Sequence, residues 1–415
     1  MSRENHSTPA LDSQPAGPRS PILPIGLARA LTSILGPLIG VIVVVAIFGI
    51  WKPDSFLTFR TLDNFLLYNS YYAVAAMGMT FVIITAGIDL SVGSTMALSS
   101  ICCALAIRGG AFPARSAGTT IAIGVSVALL AGICIAARLI DAGRRPASAV
   151  RLASVPAAIL GIIAALCWMG LAGTAYVPMP AIVAAAFGIA VGAGVGFLNG
   201  TLITRLGLPP FVATLATLGA IRGLTLFLCN DTPVSRDPRT WKPAAITAID
   251  RLARLQSGEI LGMRPNDWIV VFVALIAIPL LHFTILGRYA YAIGSNERTA
   301  RLCGVKVERY KTLCYVIAGI TAGLAGVMMT AKSRGGQPTE FTGAELNIIA
   351  AVVIGGTSLF GGEGTIVGTI LGVLMLGLLY SGCVIADISS NVQRIFIGGT
   401  IVLAAALDRF RHLRG

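Results

Sequence analysis

Long apolar runs separated by short polar joints recur through this chain, and they decide which solvent most of it must meet. A run of about 18 residues or more is long enough to cross a bilayer as a helix. Lipid offers backbone N–H and C=O groups no partner, so a segment inside it closes its hydrogen bonds within itself, and helices are the default. The runs are continuous rather than alternating, which argues against an outer-membrane barrel. Composition agrees: 55% of the residues are hydrophobic and 12% charged, with a mean hydropathy of +0.83, where soluble domains are about a quarter charged. The fold class is an all-α integral membrane protein, a multi-span helical bundle with broken or re-entrant helices.

The runs fall near 32–51, 69–88, 92–107, 118–137, 152–172, 178–203, 211–228, 267–286, 312–331, 345–358, 363–382 and 391–407. This makes 10–12 spans, twelve if each one crosses, and 345–358 is short enough to be re-entrant. Residues 1–30, rich in Ser, Pro, Asn and Arg, read as a disordered cytoplasmic tail, and 31–415 as the membrane domain. The first run is too long for a signal-peptide core and reads as a retained span.

Net charge of +13 does not imply nucleic acid here, because cytoplasmic loops of membrane proteins collect Lys and Arg. The loop 138–151 carries Arg138, Arg144, Arg145 and Arg151, and the loop 287–311 carries Arg288, Arg298, Arg301, Lys306, Arg309 and Lys311. Both face the cytoplasm, next to anionic lipid headgroups, if both termini are inside; 229–266, where acids offset the bases, then lies outside. The eight cysteines sit mostly within or beside apolar runs with no CxxC pair, so neither zinc nor a disulfide framework is indicated.

Two interruptions carry polar chemistry into apolar surroundings. The first, TAGIDLSVGS at 85–94, holds Asp89, the sole acid between Asp63 and Asp141. An ionised carboxylate at the bilayer centre costs on the order of 3 kcal/mol. Either Asp89 or Ser91 caps the helix that follows, with Gly87 and Gly93 allowing a tight reversal, or the polar groups line a translocation path at a broken helix. The second, IGGTSLFGGEG at 354–364, repeats the pattern with Thr357, Ser358 and Glu363. Two such breaks favour a position near the permeation route, with Asp89 holding the break rather than gripping solute. Asn199 and Thr201 sit near a helix end, Pro209 and Pro210 start the next span, and Thr214 and Thr217 lie one turn apart on it. Threonines in membrane helices usually bond their own backbone; Met77, Met79 and Phe81 read as packing.

No catalytic, cofactor or metal site is visible. There is no GxxxxGK[ST] phosphate cradle, no HExxH and no GxSxG, and His6, His282 and His412 form no cluster. Transport energy must come from another subunit or from an ion gradient. A secondary, ion-coupled transporter usually needs ionisable groups inside the bundle, and Asp89 and Glu363 are sparse material for one.

In SNERTARLCGV, within 287–311, Ser295 or Asn296 can cap a short surface helix, Ala300 favours it, Glu297 reaches Arg301 at i,i+4, and Gly304 can end it. The order GIDLSVGS, NGTLITRLGLPPFVATLATLGAIRGL, GRYAYAIGSNERTARLCGVKV, AVVIGGTSLFGGEGTIVGTILG, spread over 68–407, resembles ABC importer permeases of the ribose, xylose and galactose (monosaccharide) branch. The resemblance implies a bacterial inner-membrane subunit that pairs with an ABC ATPase, receives sugar from an extracytoplasmic binding protein, and works as a homodimer. It also implies that 294–304, with Gly294, Ser295, Asn296, Glu297, Ala300, Arg301 and Gly304, is the coupling helix against the ATPase. One departure stands out: the family usually has fewer spans, and 112–172 looks like an inserted two-span hairpin.

Overall fold

The computed structural model describes residues 25–109 and 178–389, with scattered helical residues between 391 and 402. The expected hairpin at 112–172, the 138–151 loop and, of the 391–407 span, residues 394, 397, 401 and 403–407 lie outside the described residues.

The helices are α1 (Ile25–Trp51), a single turn α2 (Pro53–Phe56), α3 (Phe59–Ile84), α4 (Val92–Arg108), α5 (Ala181–Thr204), α6 (Pro210–Cys229), α7 (Pro243–Ser257), α8 (Pro265–His282), α9 (Ile285–Ser295), α10 (Glu297–Leu302), α11 (Val307–Ser333), α12 (Ala344–Ile354) and α13 (Ile366–Ile385). Local chemistry sets their starts. Thr58, Thr284 and Thr365 each accept a backbone N–H from the first turn of α3, α9 and α13. Prolines open α6, α7 and α8, where the missing N–H costs nothing.

Among the described residues, five helices are long and apolar enough to cross a membrane: α5, α6, α8, α11 and α13. Helix α3 makes a sixth when its two parts, bent by 44°, are taken together. Helices α4, of 17 residues, and α12, of 11, are shorter apolar pieces. Three expected boundaries are corrected. Helix α1 already begins at Ile25, inside the stretch assigned to the tail. Helix α3 starts ten residues before the expected 69 and ends at Ile84. The span expected to 286 ends at His282, because Thr284 caps a new helix there.

Helix α11 is the axis of the bundle, packed by α3, α4 and α5. Gly188, Gly192, Gly196 and Gly200 repeat every four residues on one face of α5, opposite Gly319 and Gly323 of α11. A Cβ at Gly192 would strike the carbonyl oxygen of Gly319, and one at Gly196 that of Tyr315. With no side chains between them, the two backbones touch, the mode that lipid favours when burial of apolar surface gains nothing. Hydroxyl pairs join further helices inside the bundle: Thr80 with Thr369 at 2.7 Å, Ser100 with Thr330 at 3.0 Å, and Thr204 with Thr312 at 3.0 Å.

The two ends differ. One carries the 205–209 turn, α9 and α10. The other carries a two-stranded ribbon, Val234–Ser235 against Gly335–Gly336, and α7. Helix α7, absent from the sequence expectation, buries Ala245, Ala248, Ile249, Leu252 and Ala253 on one stripe. That spacing is a helical period and was legible in the sequence. An ion pair between Asp63 and Arg264 ties α3 to the start of α8 at this same end.

Candidate functional site

At the α9–α10 end, α3 stops and residues 85–91 fold back between helices. Asp89 is 4% exposed, and Ser91 and Asn199 are fully buried. Asp89 Oδ1 accepts the Ser91 backbone N–H at 2.8 Å and the Ser91 hydroxyl at 2.7 Å. Asn199 Nδ2 donates to Ser91 Oγ at 2.8 Å and reaches Asp89 Oδ1 at 3.4 Å. The Ile88 carbonyl takes the hydroxyls of Thr214 at 3.2 Å and Tyr315 at 3.4 Å. A carboxylate bonding the amide two residues on is an Asx turn, which stabilises a chain reversal. The geometry therefore has Asp89 stitching the break and bridging to α5, with α6 and α11 clamped on the adjacent carbonyl. Gly93 faces elsewhere: a Cβ there would lie 2.7 Å from the Phe341 carbonyl oxygen.

The second break, 355–364, is a turn built on its own backbone. Ser358 N–H donates to the Glu363 carbonyl at 3.1 Å, and Phe360 N–H to the Ser358 hydroxyl at 3.2 Å. Thr357 is buried, its hydroxyl without a partner, while Glu363, the acid that parallels Asp89 in sequence, is exposed.

The two breaks meet, and α9 is wedged between them. Gly362 N–H donates to the Ile84 carbonyl at 2.9 Å. A Cβ on Gly294 would collide with the Ile84 carbonyl and the Gly362 amide, and one on Gly361 would lie 2.9 Å from Ala86. Tyr291 donates its hydroxyl to the Gly364 carbonyl at 2.7 Å. Only a residue without a side chain fits at 294, because three backbones share that point.

Helix α10 leaves from this joint. Asn296, rather than Ser295, is its cap: Asn296 Oδ1 accepts the Thr299 N–H at 2.9 Å, and Ser295 is the last residue of α9. Ala300 is buried against Ile293 and Val307. Glu297 bonds Lys311 at 3.0 Å and Arg301 at 3.5 Å, and Arg301 also pairs with Glu308. These pairs fasten α10 to the first turns of α11. Glu308, first among the causes, and Glu297 hold the Arg301 guanidinium above its ordinary value. Gly304 closes the helix at φ +83, with open space around it. The two bracketing glycines thus serve different needs, crowding at 294 and a left-handed backbone at 304.

The sequence-derived residues at the two breaks, Gly93 apart, fall into three sets. Gly294 meets both breaks directly; Asp89, Ser91, Asn199 and Thr214 form a buried knot one layer inward; Thr357 and Ser358 belong to the second turn. Sequence reasoning missed Tyr291, Tyr315 and Ile84, whose roles come from contacts across some 70 to 280 residues of chain. Met77, Met79 and Phe81 are fully buried in the core.

The chain matches the family described as "Branched-chain amino acid transport system / permease component" over residues 147–405. It is 34% identical to the ribose import permease protein RbsC of Escherichia coli strain K12 over 371 residues, covering 89% of this chain and 92% of the relative. It is 30% identical to the D-allose transport system permease protein AlsC of the same organism, over 88% of this chain and 89% of the relative. It is also 30% identical to the xylose transport system permease protein XylH of Haemophilus influenzae, over 89% and 94%. No solved structure matches. Spanning helices, two breaks joined at a short surface helix, and similarity along nearly the whole chain lead to one statement: this chain belongs to the permease-component family of importers, as a transport subunit and not an enzyme.

Proposed function

We propose that this chain is the membrane-spanning subunit of an ATP-binding-cassette importer for a neutral monosaccharide. It accepts the sugar from an extracytoplasmic binding protein and is driven by a separate ATPase. The observation that carries this reading is the near-full-length similarity to permeases named for ribose, allose and xylose. In this reading the chain crosses twelve times, both termini and 287–311 face the cytoplasm, and 229–266 faces outward, in keeping with the six bases between Arg288 and Lys311. Two copies pair about a two-fold axis, the commonest symmetry for such assemblies. Gly188, Gly192, Gly196 and Gly200 of α5 are already packed within the chain, so that glycine row is not the dimer contact.

Helix α10 is the coupling element in this reading. ATP binding moves the ATPase subunits, and the push reaches the membrane by two routes. One runs through the Glu297–Lys311 pair into α11, the bundle axis. The other runs through Gly294 into the ends of α3 and of the 355–364 turn. A rigid joint passes displacement on where a flexible one would absorb it.

The test is reconstitution in vesicles with the ATPase and binding protein, following labelled ribose, xylose, allose and leucine. ATP-dependent uptake of a sugar and not of leucine is expected. Uptake by the purified chain alone, driven by an ion gradient, would overturn the reading. Single cysteines at Glu259 and Arg298 should label from opposite faces; labelling from one face would refute the topology.

A further inference from the structure

A cavity of about 590 Å³ lies between α3, α12 and α13, in the half of the bundle away from α9 and α10. Pockets for small molecules run from about 300 to 1,000 Å³ and join an apolar lining to a few convergent polar groups. The polar groups among its lining are the amides of Asn64, Asn69 and Asn347, the phenols of Tyr71, Tyr72 and Tyr380, and the hydroxyls of Thr61 and Ser381, from three helices. None of the sequence-derived site residues lines it.

Three observations show a built site. First, no side-chain hydrogen bond to described residues occupies Asn64, Asn347, Tyr380 or Ser381, although all four face the same space. Asn347 and Ser381 are half-buried within it, and Asn64 and Tyr380 stand exposed at its mouth, where a polar solute entering from outside meets them first. Second, the Asn69 amide lies directly against Gly377 of α13, where a Cβ would collide with it. Asn69 Nδ2 is steadied by the Phe65 carbonyl at 2.8 Å, which leaves its oxygen as an acceptor. Third, the Tyr72 ring is held in place, 4.9 Å from Tyr71 and 6.3 Å from Phe341, nearly perpendicular to the latter at 89°.

The lining contains no Asp, Glu, Lys, Arg or His, so nothing in it neutralises a charged solute. An asparagine amide offers a donor and an acceptor side by side, the complement of a vicinal diol. A fixed aromatic ring covers the apolar C–H face that a sugar presents between its hydroxyls. An amino acid zwitterion would find neither of its charges met.

We infer that this cavity is the receiving site in which a neutral monosaccharide rests after release from the binding protein, held by Asn64, Asn69, Asn347, Tyr380 and Ser381 against the Tyr72 ring. The inference rests on the sugar-importer reading and places the sugar far from the Asp89 knot.

The experiment uses the reconstituted complex with Ser381→Cys in a Cys303→Ser background, probed from outside with a small polar thiol reagent. Sugar-loaded binding protein should slow labelling about fivefold or more, the factor of roughly one neutral hydrogen bond in occupancy; leucine should not. Asn347→Leu should lower uptake by a similar factor while stimulation of ATP hydrolysis by the binding protein persists. Uptake that proceeds with labelling unaffected by sugar overturns the inference and leaves the importer reading intact. A position 381 that never labels, because a second copy or lipid fills the space, overturns it equally. If the parent complex takes up no neutral sugar, the importer reading itself fails, and the inference falls with it at that earlier step.

Discussion

The two polar regions of this bundle are opposites in construction. At the α9–α10 end, Asp89, Ser91, Asn199, Thr214 and Tyr315 spend most of their polar atoms on one another and on backbone carbonyls, with the buried Asn199 Oδ1 as the exception. At the other end, Asn64, Asn347, Tyr380 and Ser381 leave theirs facing a cavity. A satisfied network specifies one geometry and resists change; an unsatisfied one is a site waiting for a solute. Polar residues inside a membrane are therefore not all of one kind. The hydrogen-bond account of each group separates those that hold the protein from those placed to hold something else.

The sharpest way to break this comparison is at the joint. Gly294→Val inserts side-chain atoms where Ile84 and Gly362 backbones already meet. Overpacking of that kind costs about 3 kcal/mol, roughly a hundredfold in the population of the intact joint. Uptake should fall by that order while membrane insertion is retained. Normal uptake by the Gly294→Val variant would show that the joint yields, and the rigid half of the comparison would be lost.

Next in size is Asp89→Ala, which strips two short bonds from Ser91 and the longer one from Asn199, whose 2.8 Å bond to Ser91 remains. Thermal unfolding in detergent should report a loss of about 1–3 kcal/mol. Asp89→Asn keeps an acceptor and should lose less. If the alanine variant is as stable as the parent yet moves no sugar, Asp89 belongs to the pathway after all, and the two regions are less distinct than their bonding implies.

Tyr380→Phe should behave in the reverse sense. No described partner uses its hydroxyl, so stability should stay within about 0.5 kcal/mol while relative uptake of different sugars shifts. A stability loss without a change in selectivity would reclassify the cavity as packing.

The smallest effect is electrostatic. Glu340 sits in the loop between α11 and α12, where burial holds its carboxyl above the usual range and Lys332 pulls the other way. The folded state then binds this proton more tightly than the unfolded one. Stability is greatest below the unfolded value and declines as pH rises through the window up to the raised folded value. Glu340→Gln should flatten that decline in a series of melting curves across mildly acidic pH; an unchanged slope would mean that Glu340 does not titrate there.

What the sequence settled by itself is local in origin. Apolar run length placed α5, α6, α11 and α13 to within a few residues, because the bilayer sets the length of a span and a helix needs no partner to close its bonds. The pattern at Asn296 and Gly304 marked both ends of α10, because capping and a positive φ are properties of a few consecutive residues. The polar breaks at 85–94 and 354–364 were visible for the same reason. Only the tertiary structure decided what those features touch. That Gly294 meets Ile84 and Gly362 depends on three segments more than 60 residues apart, and no local pattern encodes that meeting. The cavity is more hidden still, since Asn64, Asn347 and Ser381 each look like an ordinary polar residue on an apolar helix until three helices bring them round one empty space. Local free energy selects the elements of this protein; which of them share a boundary is set by packing, and its function is built at those boundaries.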